Sequence, residues 1–233
     1  MPTFMVYISE KSVLIQAMKR ILVASIDIVL ASSKLNARQL GPETPSLTPV
    51  GPYIFTGGIP GCTNGPDNSF SFTWEFNTSR NAPICGVGWD TGTNRTISFK
   101  GSYVADGVSM LLIYGWTREP PIEYLVVESW GYLNPASAAI RKGTVTCDDA
   151  LYDVLEGWRV NQTAVDGDTQ YIKQNWSLRR SRRSGTGITA SVDMNCHFNA
   201  WTSVGMELGT HDYQLVSAMG YSSKGKATLE IVT

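Results

Sequence analysis

The chain has 233 residues, of which 42% are hydrophobic and 17% are charged, and its net charge at pH 7 is −1. Such a length accommodates one large domain or two small ones, and the charged fraction lies below the usual share of about 25%. This balance provides no basic field to attract nucleic acid, and no apolar run approaches the roughly 18 residues that span a membrane. We therefore expect a globular chain that binds neither nucleic acid nor membrane.

Residues 1–37 have the composition of an upstream extension followed by a secretory leader. The basic residues 18–20 (MKR) precede a mostly apolar stretch, residues 21–31, and then small residues. This order is typical of a signal peptide, although Asp27 interrupts the apolar stretch. We predict that Met18 is the native start and that processing occurs near the small residues 31–33 (ASS) or after Ala37. The alternative is that the apolar stretch forms an ordinary surface or core helix.

Sequons and cysteines also favour an extracellular protein. Four N-x-S/T sequons begin at Asn77, Asn94, Asn161 and Asn175. The four cysteines are an even number, as disulfide bonds require, and they are Cys62, Cys85, Cys147 and Cys196. They contain no C-x-x-C pair and the chain has only two histidines, so we expect no metal site and no cofactor. The sequence predicts a secreted glycoprotein with disulfide bonds.

Strand patterns dominate the rest of the chain. Residues 38–60, rich in proline, threonine and glycine from Pro42 onward, predict an irregular leader or an edge strand. Phe70, Phe72 and Trp74 then alternate with polar residues, which is typical of a strand with one buried face. The same analysis predicts strands near residues 96–103, 108–117, 122–130, 143–146, 151–159, 170–179, 213–221 and 227–232. A glycine-rich turn is predicted at residues 184–187 (SGTG).

One segment predicts a helix. Phe198, Trp201, Val204 and Leu208 recur at spacings of a helical face, and Gly209 follows as a stop. Many short strands with a single helix indicate an all-β protein, either a β-sandwich or a jelly roll. We assign residues 61–233 to this domain.

Several motifs carry a more specific resemblance. They are residues 114–118 (YGWTR), 121–124 (PIEY), 128–131 (ESWG), 174–179 (QNWSLR), 197–201 (HFNAW) and 220–223 (GYSS). In this order they resemble glycoside hydrolase family 11, the small endo-1,4-β-xylanases, over roughly residues 64–232. The resemblance implies a jelly-roll β-sandwich of two curved antiparallel sheets with a single α-helix. It also implies a monomer whose inner sheet bends into a cleft that holds a xylan chain.

Cleavage in that family resembles the retaining scheme, which needs two carboxyl groups about 5–5.5 Å apart. The family nucleophile corresponds to Glu123. An acidic residue within an apolar strand is also costly unless it is paired or lines a polar cleft, and the alternative is a solvated edge residue. The acid/base position of the family is occupied by Met219, which alternation places on the cleft side of its strand. A thioether cannot donate a proton, so we expect catalysis to be low or absent.

The resemblance also implies which residues line the cleft. Tyr114, Arg159 and Gln174 are retained, as is Tyr213, whereas Leu125 replaces a tyrosine. Asn81 corresponds to the residue that tunes the acid/base, and Phe55 is a weak substitute for a tryptophan platform. These positions are our predicted substrate-binding residues.

The thumb hairpin of the family also changes here. Thr163 replaces a proline, which turns Asn161 into a sequon, so that a glycan could sit on the thumb.

Two disulfide bonds are expected, and the resemblance implies one of them. Cys147 and Cys196 correspond to a pair that some family members join, which ties the helix to the sheet. Cys62 and Cys85 remain and are expected to pair on neighbouring strands.

Two charged features of the sequence do not indicate a function of their own. The basic run 179–183 (RRSRR) lacks interleaved aromatic residues and is interpreted as a solvated face rather than a polyanion site. Glu128 is five residues from Glu123 and should face the opposite side of the strand, so it is no substitute proton donor.

Three functions remain open. The first is a weakened endo-1,4-β-xylanase acting on xylan or xylo-oligosaccharides. The second is an inactive protein that binds xylan, occupies plant xylanase inhibitors, or is sensed by plant cell-surface receptors as an elicitor of ethylene or cell death. The third is an unrelated jelly-roll lectin, which requires the motif matches to be coincidence.

Overall fold

The computed structural model describes residues 46–50, 53–66, 68–76 and 82–232. The predicted leader, Asn77 and Asn81 lie outside these residues. The strands are β1 Ser46–Val50, β2 Tyr53–Gly57, β3 Cys62–Asn64, β4 Ser69–Phe76, β5 Ile84–Trp89, β6 Thr96–Ala105, β7 Ser109–Arg118, β8 Ile122–Trp130, β9 Ile140–Cys147, β10 Ala150–Thr163, β11 Thr169–Arg179, β12 Gly185–Asp193, β13 Thr210–Gly220 and β14 Ser223–Val232. The helix α1 spans Met194–Ser203.

The strands form two sheets. The larger has nine strands in the order β1-β2-β5-β13-β7-β8-β11-β10-β9, and the smaller has five in the order β12-β6-β14-β4-β3. Within the described residues the paired strands are antiparallel with one exception, since β11 lies parallel to β8. The all-β jelly roll with one helix is therefore confirmed, with this one departure from fully antiparallel pairing. The parallel pairing arises because β9, β10 and β11 form a meander that folds back against β8.

The main core lies between the sheets. The predicted alternation in β4 is confirmed, because Phe70, Phe72 and Trp74 are buried there. The helix packs Phe198 and Trp201 into the same core. Burying these aromatic side chains stabilises the sandwich by about 1.5–3 kcal/mol each.

A second apolar cluster covers the other face of the nine-stranded sheet. In β7 the residues Leu111 and Ile113 belong to the core between the sheets, and the alternate residues belong to this second cluster. We call this side of the sheet the site face, and in β7 it carries Met110, Leu112, Tyr114 and Trp116. Both faces are buried here, which explains why β7 and β8 are almost continuously apolar.

Some local predictions were wrong. The glycine-rich segment 184–187 is not a simple turn, because Gly185 opens β12 and a bulge interrupts the strand between Thr186 and Ile188. Gly187 has a φ of 80°, which a residue with a side chain rarely adopts, so the glycines accommodate this bulge. The helix ends at Ser203 rather than at Gly209, since Gly205 has a φ of 77°.

Both predicted disulfides are present. Cys147 at the end of β9 is bonded to Cys196 in α1, which ties the helix to the nine-stranded sheet. Cys62 is bonded to Cys85, but β3 and β5 belong to different sheets. This bond therefore joins the two layers of the sandwich rather than neighbouring strands of one sheet.

Candidate active site

Glu123 lies in a strand that buries both of its faces. Tyr124 and Val126 point into the core between the sheets, whereas Leu125 and Val127 belong to the cluster on the site face. Glu123 shares the site face by alternation, and its side chain has no exposed surface. A charged group without solvent is tolerated only where protein donors replace its hydration.

Three side chains supply those donors. The Tyr114 hydroxyl donates to Oε1 at 2.8 Å, and Gln174 Nε2 donates to Oε2 at 2.6 Å. Arg159 Nη1 lies 3.2 Å from Oε1 and 3.1 Å from Oε2. Every contact places a donor against the carboxylate, which holds it in one orientation.

The sheet register explains why these residues meet. Gln174 in β11 lies directly beside Glu123 in the parallel pairing with β8. Tyr114 reaches Glu123 from β7, and Arg159 reaches it from β10, two strands away from β8. Tyr114, Arg159 and Gln174, predicted from the sequence as cleft residues, thus form one hydrogen-bonded cluster with Glu123.

Trp116 is a further member of this cluster that the sequence analysis missed. Its Nε1 donates to the Tyr114 hydroxyl at 2.7 Å, so the tyrosine must donate its own proton onward to Glu123. Burial and the negative charge of Glu123 both raise the pKa of Tyr114, which keeps the hydroxyl protonated. The sequence did indicate this residue, because Trp116 lies two positions after Tyr114 and residues two apart in a strand share a face.

Arg159 connects the carboxylate to the hairpin between β10 and β11. Burial opposes its charge, but Glu123 and Tyr114 outweigh this, and the pKa of Arg159 is raised. Its Nη2 donates to Oε1 of Gln162 at 3.2 Å. The cation is therefore permanent and holds both the carboxylate and the base of the hairpin.

Met219 and its neighbours are apolar. The register places Met219 between Ile84 in β5 and Met110 in β7, and all three side chains are buried in the cluster on the site face. Leu125 belongs to the same cluster. Met219 and these apolar neighbours therefore supply no carboxyl group that could act as a general acid.

The tyrosines of β13 and its end border the same region. The ring centroid of Tyr213 lies 6.0 Å from that of Tyr114. Burial raises the pKa of Tyr221, while the Arg159 charge lowers it and the Glu123 charge raises it, so Tyr221 lies within the field of this ion pair. Both hydroxyls remain protonated.

Phe55 does not line the site, and that prediction was wrong. It belongs to the core between the sheets, together with Tyr53. Ile54, the residue between them, is the member of β2 that lies on the site face. The composition of this short strand did not reveal which of its two faces points to the core.

Glu128 confirms the expectation that it faces away from Glu123. It has no exposed surface, and it accepts hydrogen bonds from Tyr152, from Arg179 at 3.4 Å and from Arg183 at 2.8 Å. Glu156, the other buried carboxylate of the described chain, pairs with Lys142 at 2.7 Å. Neither carboxylate replaces the missing general acid that would work together with Glu123.

The basic run 179–183 is therefore not simply a solvated face. Besides the pairing with Glu128, Arg180 forms an ion pair with Asp153, and the Arg182 guanidinium lies 4.2 Å from the centre of the Trp130 ring. Arg179 and Arg183 thus pair with a buried carboxylate, whereas Arg180 and Arg182 are exposed.

The described residues contain no group of three or more histidine, cysteine, aspartate or glutamate side chains arranged to hold a metal ion. They also contain no helix long and apolar enough to cross a membrane.

The two-sheet jelly roll, with a buried carboxylate held by an arginine, a tyrosine and a glutamine, agrees with the resemblance to a family of glycoside hydrolases. Comparison with known proteins specifies the class. The family model for glycosyl hydrolases family 11 matches residues 53–230. The chain therefore belongs to glycosyl hydrolase family 11, and the match excludes an unrelated lectin.

Individual relatives agree. Endo-1,4-beta-xylanase A of Schizophyllum commune is 44% identical over 72% of this chain and 85% of that protein. Ethylene-inducing xylanase 1 of Verticillium dahliae is 44% identical over 72% of this chain and 73% of that protein. A solved structure from a comparison of two major endo-1,4-beta-xylanases of Trichoderma reesei has a TM-score of 0.66 and 33% identity, covering 81% of this chain and 100% of that one.

Proposed function

We propose that this protein is a secreted, xylan-binding family 11 homologue in which Glu123 is a competent nucleophile but hydrolysis of xylan is strongly reduced. The observation that carries this proposal is the contrast on the site face. Glu123 has a full set of donors, whereas Met219 lies between Ile84 and Met110 without a polar partner.

The proposed first step uses the half of the site that is intact. One carboxylate oxygen of Glu123 attacks the anomeric carbon of a xylose unit, and the bond from that carbon to the leaving oxygen breaks. Arg159 and Gln174 orient the carboxylate, and Tyr114 holds one oxygen so that the other can attack. The leaving oxygen takes the bonding electron pair and needs a proton.

That proton is what Met219 cannot supply. Loss of a positioned acid typically lowers a rate by about 10²–10⁴-fold. A sugar hydroxyl is a poor leaving group without protonation, whereas an activated aryl oxide leaves readily. We therefore propose that aryl xylosides still form the covalent glycosyl-enzyme on Glu123 and that xylan is bound more readily than it is cut.

The test compares the secreted protein with Glu123→Ala. We expect reducing ends released from xylan to be close to this blank, while an activated aryl 2-fluoroxyloside labels Glu123 in the unchanged chain. A hydrolysis rate typical of a working xylanase would overturn the proposed impairment, and absence of any adduct would overturn the proposed nucleophile. Retention on insoluble xylan, measured in parallel, tests binding separately.

A second candidate function is recognition by plants. It is favoured by the likeness to a protein named as an ethylene-inducing xylanase. We propose that the protein, infiltrated into plant tissue, elicits ethylene production. If recognition does not need catalysis, Glu123→Ala should elicit the same amount. A response lost together with Glu123 would instead assign it to hydrolysis products.

A further inference from the structure

The three sequons within the described residues differ in how exposed their asparagines are. Asn175 is only 1% exposed and its Nδ2 donates to the carbonyl of Glu207 at 2.8 Å, so its burial argues against the glycan expected there. Asn94 and Asn161 are both exposed, and neither amide takes part in a hydrogen bond within the described chain. Two of the three sequons within the described residues are therefore accessible.

Asn161 has an unusual local backbone. It lies where the β10–β11 ladder breaks, since Arg159 is paired with Ile172 but the next pair is Gln162 with Gln170. Its φ of 55° is in the left-handed region, which asparagine tolerates better than most residues. Thr163, whose hydroxyl completes the sequon, is also exposed. Asn161 and Thr163 are thus both exposed residues in an irregular part of the hairpin.

Asn161 also lies close in sequence to a residue of the Glu123 cluster. Arg159, two positions earlier in the strand, contacts both oxygens of Glu123 and also the side chain of Gln162, which follows Asn161. Two residues of strand span about 7 Å, whereas an N-linked glycan is far larger than this distance. A glycan on Asn161 would therefore begin close to the Glu123 cluster.

We propose that Asn161 carries an N-linked glycan and that this glycan restricts the Glu123 site to short chains by hindering long xylan chains. In the modification, Asn161 Nδ2 bonds to the anomeric carbon of a lipid-linked oligosaccharide, the lipid pyrophosphate leaves with the electron pair, and the amide loses a proton. The inference rests on the proposed secretion, because that donor occurs in the secretory pathway.

The modification is tested on the full chain secreted from a fungal host. Glycopeptide mass spectrometry, with enzymatic deglycosylation that converts a modified asparagine to aspartate, should find glycan on Asn161. Thr163→Ala should abolish it, and Thr163→Ser, which preserves a sequon, should retain it. Asn94 is the internal reference. Glycan on Asn94 without glycan on Asn161 overturns this inference alone, whereas glycan on neither also counts against the proposed secretion.

Binding tests the proposed restriction. Enzymatic removal of glycan from the secreted protein should raise its affinity for long-chain xylan about tenfold, equivalent to about 1.4 kcal/mol, and leave its affinity for xylotriose unchanged. The same gain should appear in Thr163→Ala compared with Thr163→Ser and should be absent in Asn94→Gln. Equal affinity for long xylan with and without the Asn161 glycan would overturn the restriction.

Discussion

Glu123 and Glu128 are five residues apart in β8, and both are completely buried. Each accepts a hydrogen bond from a tyrosine and contacts an arginine, so their immediate surroundings look similar. Their positions differ, since Glu123 lies on the site face, whereas the Tyr152 ring that holds Glu128 belongs to the core between the sheets.

The charges around the two carboxylates differ as well. Glu128 is paired with two guanidinium groups, those of Arg179 and Arg183. Glu123 has one guanidinium group and two neutral donors, Tyr114 and Gln174. The two cations around Glu128 favour a structural role for that carboxylate. The single cation and two neutral donors around Glu123 are consistent with its proposed role as the nucleophile.

The largest effect should come from removing the charge of each carboxylate in turn. Glu128→Gln should lower the free energy of unfolding by about 3–5 kcal/mol, because the buried Arg179 and the partly buried Arg183 both lose their counter-charge. Glu123→Gln should cost about 1–3 kcal/mol, because one arginine is affected and the neutral donors keep an acceptor. Denaturant unfolding of the two variants measures this difference. Equal losses would show that Glu123 is as structural as Glu128.

The next prediction restores the missing half of the site. Met219→Glu should raise the rate on xylan about 100-fold over the unchanged chain, because apolar neighbours raise the pKa of a buried carboxyl and keep it protonated, as a general acid requires. Met219→Gln has nearly the same shape without an acidic proton and should show no gain. A folded Met219→Glu protein with no gain would mean that more than one residue separates this chain from a working xylanase.

Tyr114 and Tyr152, the tyrosines that contact Glu123 and Glu128, allow a matched comparison of two smaller changes. Tyr152→Phe should cost about 1.5–3 kcal/mol of stability, because Glu128 loses a hydrogen bond to a charged group. Tyr114→Phe should instead slow covalent labelling of Glu123 by an aryl xyloside, and Tyr152→Phe should leave that labelling rate unchanged. Slower labelling in both variants would mean that the two clusters are coupled.

The last effect concerns the pH dependence of stability on the Glu128 side. His197, whose ring centroid lies 4.7 Å from that of Tyr152, is buried, and burial lowers its pKa to about 3. Its folded pKa is below the unfolded value of about 6.5, so its contribution to stability is complete above pH 6.5 and is lost as the pH falls toward 3. At pH 5 the loss is about 2 kcal/mol, and His197→Phe should flatten this part of the stability profile. An unchanged slope would assign the acid sensitivity to other groups.

Much of the fold could be predicted from local patterns. The alternation of Phe70, Phe72 and Trp74 indicates a strand with one buried face whatever its partner. By contrast, β5 was missed because it is buried along most of its length and does not alternate. The exclusion of Glu128 as a proton donor followed from counting residues along one strand. None of these inferences about β4 and β8 needed to know which strands pair.

The sequence by itself determined the strand content, the even set of cysteines, and Glu123 as a carboxylate within an apolar strand. It also showed that methionine occupies position 219. Only the tertiary structure decided that Phe55 faces the core, that the Cys62–Cys85 bond joins two sheets, that Arg179 and Arg183 neutralise Glu128, and that Asn175 is inaccessible. The physical reason is that alternation gives the two faces of a strand but not which face meets the core. That choice depends on pairing between residues far apart in the chain.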